Sequence, residues 1–259
     1  MKHPLSSIHP EAIIGENVII DQFVTVEKDV VIGDGTHLYA NSVVLNGARI
    51  GKNCHIMSGA VVAGIPQDLK FQGEETLAII GDGTTLRECV TVNRGTASRG
   101  KTVVGNNCLI MAYSHVAHDC ILANSIILGN STQLAGEVEI EDFAIISGGC
   151  LVHQFSKVGA HVMVQGGSRV NKDVPPYIIA AREPISYAGI NAVGLRRRGF
   201  TAEQIGEIQG IYRTLFLSGL NNTQALETIE AEYVESEIRN NIIDFVRGSQ
   251  RGILRSNMD

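Results

Sequence analysis

The sequence predicts a mainly β fold: a left-handed parallel β-helix closed by an α-helical C-terminal domain. Three observations carry this. Stepping by six from Ile8 to Val170 visits 28 positions, and all but Asp68, Glu74 and Ser98 hold Ile, Leu or Val. Neither the 3.6 period of a helix nor the period of two of a strand keeps phase over such a length. A fixed six-residue repeat with an aliphatic anchor is the hexapeptide signature of a solenoid. Secondly, two further hexad positions are biased. The residue after the anchor is often glycine (Gly15, Gly33, Gly51, Gly81, Gly105, Gly129, Gly159), which suits the backbone angles of a tight corner. The fourth residue after it is usually small (Ala12, Ser42, Ala48, Cys54, Ala60, Cys108, Ser114, Cys120, Ala144, Cys150), as a narrow prism requires. Thirdly, the repeat stops at Val170, and helical spacing follows.

Taken in order, Ile14, Ile20, Val26, Ile32, Leu38, Val44, Ile50, Ile56 and Val62 form a first unbroken block. The mismatched anchors Asp68 and Glu74 fall in Pro66–Thr76, and Ser98 falls in Arg94–Lys101. Both segments read as loops expelled from a coil, where a rigid scaffold usually carries binding residues. Ile80, Leu86 and Val92 hold the phase between them, and Val104 to Val170 form the last block. Three hexads make a triangular coil. Coils stacked at roughly 4.8 Å give about nine turns and a prism on the order of 40 Å tall. Asp173-Val174-Pro175-Pro176 cannot continue a strand ladder. Thr201 to Gln204 is a capping-box helix start. Ile205, Ile208, Tyr212, Leu215 and Phe216 make its apolar stripe. Asn222 or Thr223 opens a second helix. Ile238, Ile242, Phe245 and Val246 mark a third, closed by Gly248. The expected domains are therefore 1–173, the β-helix, and 174–259, a helical cap on its open end.

A net charge of −6 argues against a nucleic-acid partner, which favours a basic face. There is no 18-residue apolar run to span a membrane, and Met1 to Glu11 lacks a signal core, so a cytoplasmic protein is expected. Cys54, Cys108, Cys120 and Cys150 occupy the small inward slot and read as core filler. Cys89 has no evident role, and no CxxC spacing suggests zinc or redox work.

A solenoid by itself implies no activity. The informative cluster is Ala112 to Cys120, AYSHVAHDC. Neither His115 nor His118 occupies an inward slot, so a core histidine is a poor reading of either; a solvated surface histidine is the plain alternative. His118 followed by Asp119 offers a base beside a carboxylate that can fix its tautomer. Adjacent side chains often point apart, which makes Asp119 the weaker half of that pair.

With Gln67 to Lys70, Arg94-Gly95-Thr96, Ala117-His118-Asp119-Cys120, Leu134-Ala135-Gly136, Val152-His153-Gln154-Phe155, Asp173 to Tyr177 and Leu195 to Phe200, the chain resembles the UDP-N-acetylglucosamine O-acyltransferases, which open lipid A synthesis. The resemblance covers the whole chain. It implies a homotrimer with sites between neighbouring prisms. It implies transfer of a long 3-hydroxyacyl chain from acyl carrier protein to the 3-hydroxyl of UDP-N-acetylglucosamine, with no cofactor and no metal. By resemblance, His118 is the general base, Asp119 its partner and the Gly136 N–H the oxyanion donor. Asp68 and Lys70 contact the sugar, plain solvation being their alternative. His115, His153 and Gln154 line the cleft. Asn191, Arg197 and Arg198 meet the uridine diphosphate, the alternatives for the arginines being a solvated helix end or a dock for the acidic carrier protein. Gly166 sets acyl length. The chain departs from the family at Asn93 and Glu137, where histidine is usual, and at Val193, where an acidic residue is.

Two other readings of the solenoid are a coenzyme A-dependent acetyltransferase and a zinc-dependent hydratase of the γ-carbonic-anhydrase kind. Coenzyme A-dependent acetyltransferases lack the PQDLK and AHDC segments present here, and this chain lacks the His-x₄-His pair of the hydratases. The related N-acyltransferase carries an added N-terminal domain, for which hexads starting at Ile8 leave no room.

Overall fold

Hexad phase becomes geometry directly. In the computed structural model, which describes residues 2–256, short parallel strands stack into three sheets of nine, eight and eleven strands. Successive hexads supply the three faces of a prism in rotation. The first face runs from Ser7–Ile8 to Arg169–Val170 and includes His115–Val116, Gln133–Leu134 and Leu151–Val152. The second face has eight strands and the third eleven. Undisturbed neighbours pair 18 residues apart, as Val43 does with Val61. Val61 pairs with Thr91, thirty residues on, and Thr91 with His115, twenty-four on. The excess is the two expelled loops, so the stack continues beneath them in register.

Every anchor from Ile20 to Val170 outside those loops is at most 3% exposed. Full burial of one such aliphatic side chain stabilises by about 1.5–3 kcal/mol. The stack is therefore continuous, each coil covering the next. The small slot is buried too, including Cys54, Cys108, Cys120 and Cys150. Of its polar members, Thr36, Thr84, Ser114 and Thr132 donate to carbonyls of the following coil, while the Ser42 and Ser156 hydroxyls are buried without a partner.

The glycines after the anchors serve a different purpose from the one the sequence suggests. None has a positive φ. A Cβ on Gly33 would lie 2.6 Å from the Gly51 carbonyl carbon, and one on Gly105 would lie 2.3 Å from the Ala123 oxygen. They are glycines because stacked corners approach closely. The left-handed residue is the third after the anchor, as at Asn17, Asn41, Asn53, Asn107, Asp119 and Glu137.

Beyond the last coil, residues 178–190 form a hairpin of Ile178–Ala181 and Ser186–Ile190 that extends the third face. Arg255–Ser256 adds its edge strand. The expected all-helical tail thus includes three strands, hidden in the sequence behind the two prolines. Four helices follow the hairpin: α1 (Ala192–Arg197), α2 (Ala202–Leu217), α3 (Asn222–Glu232) and α4 (Glu237–Gly248). Full capping boxes start α2 at Thr201 and α3 at Asn221, and Ser236 caps α4. The short α1 is additional to the three expected helices. Tyr212 of α2 is fully buried and donates to the Pro176 carbonyl at 2.6 Å, fixing the helices to the prism end. No helix among the described residues is long and apolar enough to cross a membrane.

Candidate active site

His118 lies two residues past the anchor Val116, at the corner between the first and second faces and outside the aliphatic stack. Its neighbour Asp119 takes the left-handed conformation, φ 60°. That turn brings the two adjacent side chains to one side of the chain, and His118 Nδ1 meets Asp119 Oδ2 at 2.8 Å. A carboxylate only accepts, so Nδ1 carries the proton and Nε2 keeps its lone pair.

Asp119 has no exposed surface, and donors surround it. It accepts from the Thr96 amide at 3.0 and 3.1 Å, from Thr96 Oγ1 at 2.6 Å and from the Arg99 amide at 3.1 Å. The second expelled loop is thus the other half of the dyad's support. Such multiple donation satisfies a buried carboxylate and fixes its orientation.

The first expelled loop faces the opposite edge of the ring. Asp68 Oδ2 is 4.0 Å from His118 Nε2, while Asp68 Oδ1 accepts from the Lys70 amide at 2.9 Å. Gly136 lies against the same ring: a Cβ there would come within 2.6 Å of both His118 Cε1 and Nε2. Glycine at 136 is what allows the imidazole its position. No protein acceptor for the Gly136 N–H is found among the described residues.

These groups open into a cavity of about 650 Å³ along the first face, lined by His115, His118, Gly136, Leu151, His153 and Gln154 among others. His115 Nδ1 lies 2.7 Å from Thr91 Oγ1. Burial lowers the His115 pKa, and the neighbouring His118 pushes it the same way. His153 Nδ1 lies 3.0 Å from the Gln154 carbonyl and 2.9 Å from Arg251 Nη2.

Other expected site residues lie elsewhere. Lys70 is exposed beside Asp68. Gly166 occupies the far corner of the first face, where a Cβ would meet the Gly148 carbonyl at 3.1 Å. Asn191 is buried as the N-cap of α1, accepting from Gly194 and donating to the His161 carbonyl. Arg197 is exposed. Arg198 lies over the Phe143 ring at 5.3 Å, with Nη1 buried and unpartnered. None of the five lines the His118 cavity.

At the departures from the family, Asn93 donates to the Ile65 carbonyl and leaves Oδ1 buried without a partner. The Glu137 carboxylate is answered by Arg99 Nε at 3.7 Å. Val193 is an exposed residue of α1. Sequence reasoning gave no role to Thr96, Arg99 or Arg251. The phase-keeping loop at 94–101 was the available signal for the first two. Among the described residues, no group of three or more His, Cys, Asp or Glu is placed to hold one metal ion, so the zinc alternative finds no ligand set.

Comparison with known proteins places the chain in a family. Residues 173–254 match domain 2 of the UDP-N-acetylglucosamine O-acyltransferase family, and residues 29–64 and 101–136 match the bacterial transferase hexapeptide repeat. The chain is similar to the acyl-[acyl-carrier-protein]–UDP-N-acetylglucosamine O-acyltransferase of Halorhodospira halophila, 41% identical over 98% of both chains. It is similar to that of Sinorhizobium fredii, 40% identical over 98% of this chain and 94% of the relative. Among solved structures, the UDP-N-acetylglucosamine acyltransferase of Bacteroides fragilis superposes with a TM-score of 0.97 at 56% identity, covering 98% of this chain and all of that one. The Francisella novicida enzyme gives 0.96 at 39% identity, covering 99% and 95%.

Proposed function

The chain belongs to the UDP-N-acetylglucosamine O-acyltransferases, and on that premise we propose that it moves a 3-hydroxyacyl chain from acyl carrier protein to the 3-hydroxyl of UDP-N-acetylglucosamine, the first step of lipid A synthesis. The observation that carries the mechanism is the His118 Nδ1–Asp119 bond, which leaves Nε2 as a base. Nε2 takes the proton of the sugar hydroxyl as that oxygen attacks the thioester carbonyl. The resulting oxyanion meets the Gly136 N–H, a fixed donor for developing charge. Collapse breaks the C–S bond, and the imidazolium returns its proton to the departing thiolate. Asp119 holds the ring in place and stabilises the imidazolium. No covalent enzyme intermediate forms, so no nucleophilic serine or cysteine is needed.

Asp68 orients the sugar from the first loop with Lys70 beside it, and His115, His153 and Gln154 line the cleft. The separation of Arg197, Arg198 and Gly166 from the His118 cavity supports a homotrimer. A neighbouring prism then supplies the phosphate contacts and the end of the acyl groove. The orphaned Arg198 Nη1 is suited to a diphosphate oxygen. Gly166 leaves room for a long chain; a bulky side chain there shifts preference to shorter donors. A carrier-protein donor, a nucleotide-sugar acceptor and five unpaired thiols suit the cytoplasm.

The test is the mass of the product formed from UDP-N-acetylglucosamine and a panel of acyl carrier protein and coenzyme A thioesters. His118→Ala should lower turnover about 10²–10⁴-fold. Near wild-type turnover in that variant, or transfer from acetyl-coenzyme A alone, refutes the assignment.

A further inference from the structure

Arg251 reaches His153, a wall residue of the cavity, from 98 residues further along the chain. The segment that carries it is fastened along the last coil. Lys172 Nζ donates to the Arg251 carbonyl at 2.8 Å, the Asp173 amide donates to the Gly252 carbonyl, and the Leu254 amide donates to the Asp173 carbonyl. The guanidinium spreads over three acceptors. Nε donates to the Asn171 carbonyl at 3.0 Å, Nη1 to the Gln154 carbonyl at 3.0 Å and Nη2 to His153 Nδ1 at 2.9 Å.

The chemistry of that last contact is decisive. A guanidinium has donors and no acceptor. A hydrogen on His153 Nδ1 would therefore confront an N–H at hydrogen-bond distance. The Gln154 carbonyl, 3.0 Å from Nδ1, is the competing partner, since its second lone pair stays open to an Nδ1–H after Nη1 has donated. The Arg251 contact and an Nδ1–H exclude each other, so a neutral ring that keeps the Arg251 contact carries its hydrogen on Nε2.

We propose that Arg251 is a positioning residue: by donating to His153 Nδ1 it fixes the tautomer whose Nε2–H serves the cavity as a hydrogen-bond donor, aimed at an acceptor oxygen of a bound substrate. This rests on the reading of the cavity as the acyl-transfer site. The oxygen belongs either to the nucleotide sugar or to the thioester donor, and kinetics separate the two.

The experiment measures KM for each substrate, kcat and Tm for wild type, Arg251→Gln, Arg251→Lys, His153→Ala and the double variant His153→Ala/Arg251→Gln. Loss of one oriented hydrogen bond should raise one KM about three- to tenfold and leave kcat within about twofold. A rise for UDP-N-acetylglucosamine assigns the oxygen to the sugar; a rise for the acyl carrier thioester assigns it to the donor. Lysine, a single-point donor, should recover part of the effect, and Arg251→Gln should add nothing once His153 is alanine. An unchanged KM for both substrates overturns the proposal, even if Tm falls. So does an equal effect of Arg251→Gln with and without the imidazole. A wild-type protein without acyl transfer would instead refute the function itself.

Discussion

Gly136→Ala isolates the contact on which the site depends. Alanine keeps the backbone N–H proposed to meet the oxyanion, and position 136 has no positive φ to strain. What changes is one methyl group, which would sit 2.6 Å from His118 Cε1 and Nε2 and 3.2 Å from Nδ1. Ordinary contact begins near 3.4 Å, so the ring must withdraw by roughly 1 Å, a displacement that commonly costs about 10²-fold in rate. Nδ1 is tethered to Asp119 at 2.8 Å, so the ring yields by tilting, and Nε2, the proton acceptor, moves most. We expect kcat to fall about 10²-fold, close to 2.7 kcal/mol of barrier. Tm should stay within a few degrees, because overpacking by one methyl costs about 1–3 kcal/mol at most. The assay is steady-state turnover of the acyl carrier thioester, beside a thermal melt. The decisive control is the His118→Ala background, where the methyl has no ring to displace and Gly136→Ala should be silent. A tenfold or larger loss in that background would show that residue 136 acts on rate by some other route, and the steric argument would fall.

Asp119→Asn should lower kcat and stability together. The amide nitrogen cannot accept from Thr96 or His118, and leaving buried donors unpaired costs about 1–3 kcal/mol; a variant with unchanged Tm and kcat contradicts the network. Mixed refolding of His118→Ala and Arg198→Ala chains should recover roughly a quarter of wild-type turnover, since in a closed ring each site pairs one chain's His118 with its neighbour's Arg198. No recovery means that both residues act within one chain. Burial, helped by Arg198, lowers the His161 pKa to about 4. With an unfolded value near 6.5, the unfolded chain binds the extra proton between those limits. Its contribution is therefore complete above pH 6.5 and is lost as pH falls toward 4. His161→Gln should flatten that part of the Tm–pH curve relative to wild type; parallel curves would rule the contribution out.

The prism was legible because its contacts repeat: an anchor predicts its neighbour 18 residues on, and residues such as Leu122 and Ile140 are partners by arithmetic. The proposed base stood out for the converse reason, since His118 breaks the inward pattern. What escaped notice depended on backbone conformation or on distant contacts. Pairing of Asp119 with His118 needed the left-handed turn, which no residue type announces. The post-anchor glycines looked like corner formers, when their constraint is the adjacent coil. The capping role of Asn191 was hidden because α1, a helix of six residues, is too short to print a period. Arg251 meets His153 only because the terminal segment folds back along the last coil, and no local pattern encodes that.

Asp119 also links two fates. The carboxylate proposed to prime the base also seats residues 96–99, beside the Arg99–Glu139 ion pair. Gentle heating that loosens this surface segment, while the aliphatic stack holds, would release the imidazole from its tether. Catalytic death should then precede melting, with the inactivation midpoint below the calorimetric one.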